Sequence, residues 1–428
     1  MQCESRADMF INAIDVLLQE ETIRAQKQIN LIASENYAPA KVRDIVGSLL
    51  MDKYAEGYPG KRYYAGCSVI DKIEQAAIDA CSNVFDPEHT MHVNVQPHSG
   101  SAANMAVYMA LAKPGDCILG MHMASGGHLT HGNSGSFSSH YYKAVTYSVD
   151  SATGLIDYGA LRALALLHQP KIIIAGASAY SRFIDYKILS QIAKEINAFL
   201  VVDIAHIAGL IAAGLHPSPA WCADCITGTT HKTLRGPRGG FILCRQEYAA
   251  AIDKAVMPGI QGGPFMNSIA AKAVCFMNAQ TDDFKEYQKN VVCNAAVMAQ
   301  EFSNKNYRII SGGTDTHLFV IDLCNKNIDG RAAEKILEQI GILVSRSTIP
   351  ADTRKPFIGS GIRIGTAAIT TRGMGKEECI EIVAIIDQVV QYSSKQCLSE
   401  QSSSENFEKI QADIVSRVEK LAQKFPIT

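Results

Sequence analysis

Apolar positions along the middle of the chain form short continuous runs, separated by segments in which apolar residues recur at helical spacing. Such runs are typical of strands that are buried on both faces of a parallel sheet. They lie at residues 117–119, 171–174, 199–202, 224–227 and 241–244. From about residue 53 to about residue 278, this alternation predicts a mostly parallel, doubly wound sheet of the α/β class.

The C-terminal third shows a different pattern, which predicts a smaller α+β unit from about residue 281. Its predicted elements are a helix to residue 302, strands at 318–321 and 362–364, and helices at 377–390 and 407–421. The stretch 394–404 is rich in Ser, Gln and Glu, and we predict that it is an exposed connection.

The N-terminus is predicted to form a helical arm. The residues at helical spacing that indicate it are Phe10, Ile14, Leu17 and Leu18. We therefore divide the chain into an N-terminal helical arm (1–52), a large α/β domain (53–280) and a small C-terminal α+β domain (281–428).

Composition narrows the possible functions. The chain has 428 residues, 47% of them apolar, and a formal charge of −2 without a basic block, so nothing favours nucleic acid or an anionic membrane as a partner. The stretch 198–215 is apolar enough to suggest a membrane helix. It contains Asp203, His206 and two glycines, which disfavour a membrane span. Twelve scattered cysteines, with Cys222 and Cys225 as a lone C-x-x-C pair, and the lack of a signal or transit segment predict a cytoplasmic protein.

Lys232 is the first candidate for chemistry. It follows the apolar run at 224–227 and lies in the glycine-flanked stretch 229–240, between a histidine and hydroxyl residues. A lysine in such a pocket can be desolvated, lose its proton near neutral pH and attack a carbonyl to form a Schiff base. The alternative is a solvated loop lysine.

Asp203 is the second candidate, because it stands where the buried run at 199–202 ends. Ligands of open α/β sheets bind beyond the carboxyl ends of the strands. A buried acid there needs a positive partner, and an Asp on a pyridinium nitrogen together with a lysine Schiff base is the usual protein contribution to pyridoxal phosphate chemistry. The alternative is an Asp that caps the following helix.

Ser99, Gly100 and Ser101 provide the third element, since they open a segment with helical spacing. Backbone N–H groups, hydroxyls and the positive end of a helix dipole suit a phosphate, although Ser and Gly are also ordinary capping residues. A phosphate-binding helix start at 99–101, the acid Asp203 and Lys232 follow one another along the chain. This order predicts that pyridoxal 5′-phosphate is the cofactor and that it is covalently attached at Lys232.

With these three elements in this order, the chain resembles the serine hydroxymethyltransferases, a family of fold-type I pyridoxal-phosphate enzymes. The resemblance extends from about residue 31 to about residue 371. The stretches that carry it are 31–36, 54–64, 96–101, 126–132, 202–206, 229–240, 261–264 and 360–363. It implies a seven-stranded sheet in the large domain. It also implies the reversible conversion of serine and tetrahydrofolate to glycine and 5,10-methylenetetrahydrofolate, in a homodimer with shared active sites.

The resemblance also assigns roles around the cofactor. His128 stacks on the ring, Ser178 and His206 hydrogen-bond near it, and Thr229 and His231 accompany the lysine. Tyr54, Gly262 and Gly263 reach the cofactor from the neighbouring subunit. Without the resemblance, such residues are more often satisfied core or turn residues. His128 and His131 are three apart, as metal ligands can be, but the glycines around them favour a loop, and we expect no metal.

Further residues are assigned to the substrates. Arg363, in an alternating strand, suits a two-pronged grip on a carboxylate, and the alternative is a solvated strand position. The resemblance adds Ser34 at the same carboxylate, Glu56 for proton transfer at the substrate hydroxyl and Tyr64 at the substrate. Without the resemblance, the alternative is that Glu56 is an ordinary glutamate of a surface loop. The implied folate contacts are Met123, Gly127, His128, Leu129, Lys355, Pro356 and Phe357.

Three positions depart from the family pattern. Lys355 stands where serine is common, Ser125 where many bacterial members have histidine, and Ala65 where glycine is usual. These departures concern folate contacts and local loop shape.

Two other functions remain open from sequence. One is a threonine or β-hydroxy amino acid aldolase of the same fold, which needs no folate. The other is a catalytically silent scaffold or RNA-binding regulator, which the presence of both Lys232 and Asp203 disfavours. Turnover of serine with and without tetrahydrofolate distinguishes the two enzymes, and an absorption band of the bound cofactor distinguishes an enzyme from a scaffold.

Overall fold

The structure is a computed structural model that describes residues 6–396 and 404–428. The strands of this part of the chain are β1 (Ile29–Asn30), β2 (Gly57–Tyr58), β3 (Lys61–Arg62), β4 (Met91–Asn94), β5 (Cys117–Met121), β6 (Lys143–Tyr147), β7 (Ile172–Ala175), β8 (Phe199–Asp203), β9 (Cys225–Thr229), β10 (Gly240–Arg245), β11 (Arg308–Ile309), β12 (Leu318–Asp322), β13 (Ile342–Leu343), β14 (Ser345–Ser347) and β15 (Gly361–Gly365). The α-helices are α1 (Arg6–Lys27), α2 (Ala40–Val46), α3 (Ser68–Phe85), α4 (Gly100–Leu111), α5 (Phe137–Tyr141), α6 (Tyr158–His168), α7 (Tyr186–Glu195), α8 (Ala208–Ala212), α9 (Ala249–Lys254), α10 (Met266–Asn278), α11 (Asp282–Asn304), α12 (Gly330–Gln339), α13 (Ala367–Thr371), α14 (Lys376–Gln396) and α15 (Ser404–Lys424).

A seven-stranded sheet organises the large unit, in the order β4-β10-β9-β8-β7-β5-β6. Five neighbouring strands, β6, β5, β7, β8 and β9, run parallel to one another. β10 pairs antiparallel with both β9 and β4. The predicted mostly parallel sheet is therefore confirmed, and the five apolar runs of the sequence correspond to β5, β7, β8, β9 and β10.

Helices cover both faces of this sheet. Alternate residues of the central strands enter two separate cores, with Ile173 and Val202 in one and Ile172 and Val201 in the other. The first core includes apolar residues of α3, α6, α7 and α10, and the second includes those of α4 and α9. Because each central strand is buried on both sides, its sequence is a continuous apolar run and not an alternating one.

The smaller unit is a four-stranded antiparallel sheet, in the order β11-β12-β15-β14. Its core unites residues of β12 and β15 with those of α11, α12, α14 and α15. The strands and helices predicted for this region are confirmed as β12, β15, α11, α14 and α15.

The predicted connection at 394–404 is wrong at both ends, because α14 continues to Gln396 and α15 begins at Ser404. Serine composition does not end this helix, since the Ser393 hydroxyl donates to the Val389 carbonyl at 2.9 Å and is satisfied within the helix. Residues 397–403 lie outside the described part of the chain.

The predicted N-terminal helix is confirmed as α1. After it, β1 pairs in parallel with β13, and Ile29 and Leu31 enter the core of the smaller unit. The Arg372 guanidinium donates to the carbonyls of Gln26 and Gln28 and ties this segment to the same unit. Apolar side chains of α1 nevertheless stay exposed, among them Ile14, Leu17 and Leu18. The proposed domain boundaries remain a prediction.

Across residues 6–396 and 404–428, no helix is both long and apolar enough to cross a membrane. The apolar stretch at 198–215 contains β8 and the short helix α8 instead.

Candidate active site

The candidate site lies at the edge of the large sheet where the parallel strands end. Asp203 is the last residue of β8, Thr229 is the last residue of β9, and Ser178 follows β7. A cavity of about 420 Å³ opens at this edge. Twelve residues with predicted roles line it: Ser34, Ser99, Gly100, Ser101, His128, Ser178, Asp203, His206, Thr229, His231, Lys232 and Arg363.

Lys232 is almost completely buried, with 9% of its surface exposed. Burial disfavours the charged amine and lowers the pKa of Lys232 to about 8. The Asn36 side chain donates to the backbone carbonyl of Lys232 at 2.9 Å and fixes the main chain there. The alternative of a solvated loop lysine is wrong, and the amine is available in its neutral, nucleophilic form near pH 8.

Asp203 accepts three hydrogen bonds. Its Oδ2 accepts from Asn104 Nδ2 at 2.8 Å and from His131 Nε2 at 3.0 Å, and its Oδ1 accepts from the backbone N–H of Ala205 at 3.0 Å. Burial alone would raise the pKa of Asp203, but the hydrogen bonds from His131 and from the Asn104 amide outweigh it, and the pKa lies below its usual range. Asp203 does not cap the following helix, because α8 begins only at Ala208. An ionised, buried carboxylate at this place suits a cationic ring nitrogen.

The segment from Ser99 to Ser101 forms the start of α4. The Ser99 hydroxyl accepts from the backbone N–H of Ala102 at 3.1 Å, so Ser99 caps the helix and also lines the cavity. A Cβ atom at Gly100 would lie 2.6 Å from Thr229 Cγ2, so only glycine lets the helix start this close to the end of β9. The N-terminus of this 12-residue helix thus points its positive dipole end at the cavity.

His128 lies in a loop between two glycines with positive φ, Gly126 and Gly132, as the sequence predicted. Burial lowers the pKa of His128 to about 4, so the ring is neutral and can lie against a flat aromatic ligand. His128, His131 and Asp203 offer ligand atoms within 4.8 Å of one another. Hydrogen bonds already join these groups to each other and to Thr130, which explains their proximity without an ion.

Arg363 reaches the cavity from β15 of the smaller unit. One of its terminal nitrogens donates to the Ser178 carbonyl at 2.7 Å, while its buried Nε has no hydrogen-bond partner among residues 6–396 and 404–428. Burial lowers the pKa of Arg363 to about 10, which leaves the side chain charged at neutral pH. An unpartnered guanidinium N–H in a cavity is suited to an anionic ligand.

Two histidines complete this side of the cavity, the buried His206 and the half-buried His231. His206 Nδ1 lies 3.3 Å from His317 Nε2, and burial keeps the pKa of His206 well below its usual range. Burial also lowers the pKa of His231 to about 3, and its buried Nδ1 has no hydrogen-bond partner in the described part of the chain. Both rings are therefore neutral at physiological pH.

A second group of predicted residues lies elsewhere and is called here the tyrosine cluster: Tyr54, Glu56, Tyr64, Gly262 and Gly263. The Tyr54 and Tyr64 ring centroids are 5.4 Å apart. A Cβ atom at Gly262 would lie 3.1 Å from Glu56 Oε1, and one at Gly263 would lie 3.3 Å from the Tyr54 ring. None of the five lines the cavity that contains Lys232 of the same chain. The structure brings them together with each other but not with the lysine.

Of the residues predicted to contact folate, His128 lines the cavity and the other six lie outside its lining. Met123, Leu129 and Phe357 are exposed on loops, with Gly127, Lys355 and Pro356 beside them. The Thr348 hydroxyl donates to the Ala124 carbonyl at 3.3 Å and connects the segment before Lys355 to the loop of Met123. Of the unusual positions, Ser125 accepts from the Val149 backbone, and the Ala65 carbonyl accepts from Lys53.

Sequence reasoning missed five residues of the cavity lining: Glu35, His131, Ala177, Ala205 and Arg238. Four of them lie inside stretches that carry the family resemblance through other residues. Their position in those stretches could have indicated that they lie near the site. It also missed Asn104, which contacts Asp203 from the middle of α4.

The chain matches the sequence model of one protein family, described as serine hydroxymethyltransferase, over residues 8–386. The chain therefore belongs to the serine hydroxymethyltransferase family. Its members are fold-type I, pyridoxal-phosphate-dependent transferases of one-carbon metabolism, and the seven-stranded, mostly parallel sheet agrees with that fold.

Proposed function

We propose that this protein is a glycine hydroxymethyltransferase, which interconverts L-serine plus tetrahydrofolate and glycine plus 5,10-methylenetetrahydrofolate. The observation that carries the proposal is the meeting of three groups in one cavity: the buried amine of Lys232, the ionised carboxylate of Asp203 and the guanidinium of Arg363. Membership of the family supports it.

The cavity fits pyridoxal 5′-phosphate. Its volume of about 420 Å³ suits a small cofactor with its substrate. The N-terminus of α4 at Ser99–Ser101 would hold the phosphate, Asp203 the ring nitrogen and His128 a face of the ring. Lys232 would be the covalent attachment point. When bound, the cofactor supplies an electron sink through its protonated ring.

Lys232 and Asp203 prepare that chemistry in different ways. The Lys232 amine, with a pKa of about 8, is neutral in a substantial fraction near that pH and would hold the cofactor in a bond that the substrate amine can replace. Asp203 stays ionised because three donors surround it, and it would therefore stabilise a proton on the ring nitrogen of the cofactor.

Arg363 and Ser34 would bind the substrate carboxylate. Arg363 brings a buried Nε that makes no hydrogen bond to any described residue, and Ser34 lines the same cavity. A charged, two-pronged contact would fix the orientation of the amino acid. It would thereby also fix the orientation of the bond that breaks.

We also propose a homodimer with shared active sites. In one chain the tyrosine cluster lies apart from the Lys232 cavity, so the proton-transfer role given to Glu56 requires a second chain. The exposed apolar residues of α1 offer additional surface for such a contact. In the dimer, Tyr54, Glu56, Tyr64, Gly262 and Gly263 of one chain would complete the cavity of its partner.

The exposed loops of Met123, Leu129 and Phe357 would receive the folate co-substrate. We place the reaction in the cytoplasm, because the ten described cysteines are all free, as is usual in a reducing compartment.

The test uses protein loaded with pyridoxal phosphate and supplied with serine, with and without tetrahydrofolate. The proposal predicts glycine formation that depends on tetrahydrofolate. Rapid cleavage of threonine or another β-hydroxy amino acid, together with serine turnover that ignores folate, would identify the aldolase instead.

A further inference from the structure

Asn104 is buried beneath the cavity and joins two of its key groups. It lies in α4, four residues after Gly100, and only 1% of its surface is exposed. Its Nδ2 lies 2.8 Å from Asp203 Oδ2 and 2.8 Å from Thr130 Oγ1, and its Oδ1 lies 2.6 Å from Thr227 Oγ1.

The chemistry of its neighbours fixes the orientation of this amide. An ionised Asp203 can only accept, so the atom that faces it is the amide nitrogen. The Thr227 hydroxyl then donates to the amide oxygen. Thr227 is paired with Asp203 in the register of β8 and β9, so the same strand pair holds both ends of the contact. Both N–H groups of Asn104 and one lone pair of its oxygen are engaged.

A directional chain of hydrogen bonds leads from Asn104 to His128. Thr130 Oγ1 accepts from Asn104, which leaves the hydroxyl hydrogen of Thr130 free to donate to His128 Nδ1 at 2.8 Å. The backbone N–H of Thr130 also donates to His128 Nδ1, at 3.3 Å. Because Nδ1 accepts from two donors, the ring proton of His128 resides on Nε2.

Within the described residues, His131 is the other side chain that donates to Asp203, through Nε2. Its Nδ1 accepts from the backbone N–H of His128 at 3.4 Å. His131 therefore contacts the His128 main chain, whereas Asn104 controls the His128 ring through Thr130. Asn104 thus connects the group assigned to the ring nitrogen with the group assigned to the ring face.

We propose that Asn104 is a positioning residue, which holds the Asp203 carboxylate and the His128 ring in a fixed mutual geometry and sets the tautomer of His128. The roles of Asp203 and His128 toward a cofactor rest on the function proposed above. The hydrogen-bond chain itself does not, and it can be tested in the protein without cofactor.

The informative variant is Asn104→Leu, which keeps the approximate shape and removes every hydrogen bond of the amide. The matched control is Asn294→Leu. Asn294 is also a buried helical asparagine, and its Nδ2 donates to Thr370 Oγ1 at 2.9 Å and to the Met374 carbonyl at 3.0 Å, within the smaller unit. Thr227→Val is a milder variant, because it removes only the donor that orients the Asn104 amide.

The first readout is the ¹⁵N spectrum of histidine-labelled protein without cofactor, with the His128 signals assigned by a His128→Asn variant. Wild type and Asn294→Leu should show one His128 tautomer, protonated at Nε2. Asn104→Leu should show a mixture of both tautomers, and Thr227→Val should show a smaller change in the same direction.

The second readout is the behaviour of the loaded protein. Asn104→Leu should raise the Kd of pyridoxal phosphate about tenfold and lower kcat about ten- to a hundredfold, the range expected when a buried charged group loses a hydrogen bond. The KM for serine should change less than about threefold, because Arg363 is untouched. Asn294→Leu should lower thermal stability without either effect.

Two results would overturn the inference. One is a single, unchanged His128 tautomer in Asn104→Leu, and the other is a loss of affinity and kcat no larger than in Asn294→Leu. A wild-type protein that binds pyridoxal phosphate but does not turn over serine would instead contradict the proposed function, and the tautomer result would still decide the role of Asn104.

Discussion

Lys232 shows how burial gives a common residue its reactivity. Its pKa of about 8 results from desolvation, opposed by the attraction of Asp203. The sequence predicted the pair because Asp203 ends an apolar run and Lys232 follows another such run. Asn104 and His131 were missed because their roles depend on contacts with Asp203, which lies 99 and 72 residues away along the chain. No local sequence pattern predicts contacts between residues so far apart along the chain.

We expect Lys232→Ala to abolish covalent cofactor attachment and serine turnover, because Lys232 is the single lysine among the described residues that line the cavity. Weak binding of pyridoxal phosphate should survive, since Ser99–Ser101 and Asp203 are intact. Borohydride reduction of loaded wild-type protein, followed by peptide mapping, should place the label on Lys232. A label on another lysine would defeat the assignment.

Asp203→Asn should fold but lose most of its activity. An amide cannot stabilise a proton on the ring nitrogen, and loss of the buried charge-assisted contact costs about 2–3 kcal/mol, or roughly two decades in kcat. The measurement is kcat for serine, with circular dichroism as the folding control. Near-normal turnover would show that the carboxylate has another purpose.

Arg363→Lys should raise the KM for serine strongly and leave cofactor binding intact. Lysine keeps the charge but cannot reproduce the planar, two-pronged contact with a carboxylate. Titration with serine and with an amine that lacks the carboxylate separates the two effects. If KM is unchanged, Arg363 does not bind the substrate.

Among the elements, the strands were the most predictable, since burial on both faces leaves a continuous apolar signature. Helix ends were less predictable. α14 extends beyond the expected boundary because the Ser393 hydroxyl is satisfied by the preceding turn. The start of α4 was predicted as a phosphate cradle, and its close approach to Thr229 became visible only in three dimensions.

The close contact between the start of α4 and Thr229 can be tested by substitution of Gly100. In Gly100→Ala, the new Cβ would lie 2.6 Å from Thr229 Cγ2, so the helix start must shift away from β9. We expect the Kd of pyridoxal phosphate to rise about tenfold, the loss of about one well-placed charge-assisted hydrogen bond. Equilibrium dialysis measures the change.

Two further variants control this experiment. Gly159→Ala, at the start of α6 and outside the cavity lining, should leave cofactor affinity unchanged. Adding Thr229→Ser to Gly100→Ala removes the obstructing methyl group and should restore most of the affinity. Wild-type affinity in Gly100→Ala alone would mean that the phosphate does not sit at this helix.

The arrangement of the whole molecule could be predicted only in part. The sequence indicated a large and a small unit, but not that β10 runs against its neighbours or that β1 joins the smaller unit. It also could not show that the tyrosine cluster and the Lys232 cavity are separate within one chain. Such features depend on packing between distant segments, which leaves no periodic signal.

We expect a complete site to combine Lys232 of one chain with Glu56 of another, and mixed dimers test this arrangement most directly. Lys232→Ala and Glu56→Ala proteins, each inactive alone, would be unfolded and refolded together. Random pairing makes half of the dimers mixed, and one of the two sites in each mixed dimer has every group. We therefore expect the refolded mixture to recover up to about a quarter of wild-type activity. Mixtures that stay inactive, although native mass spectrometry shows mixed dimers, would contradict the shared site.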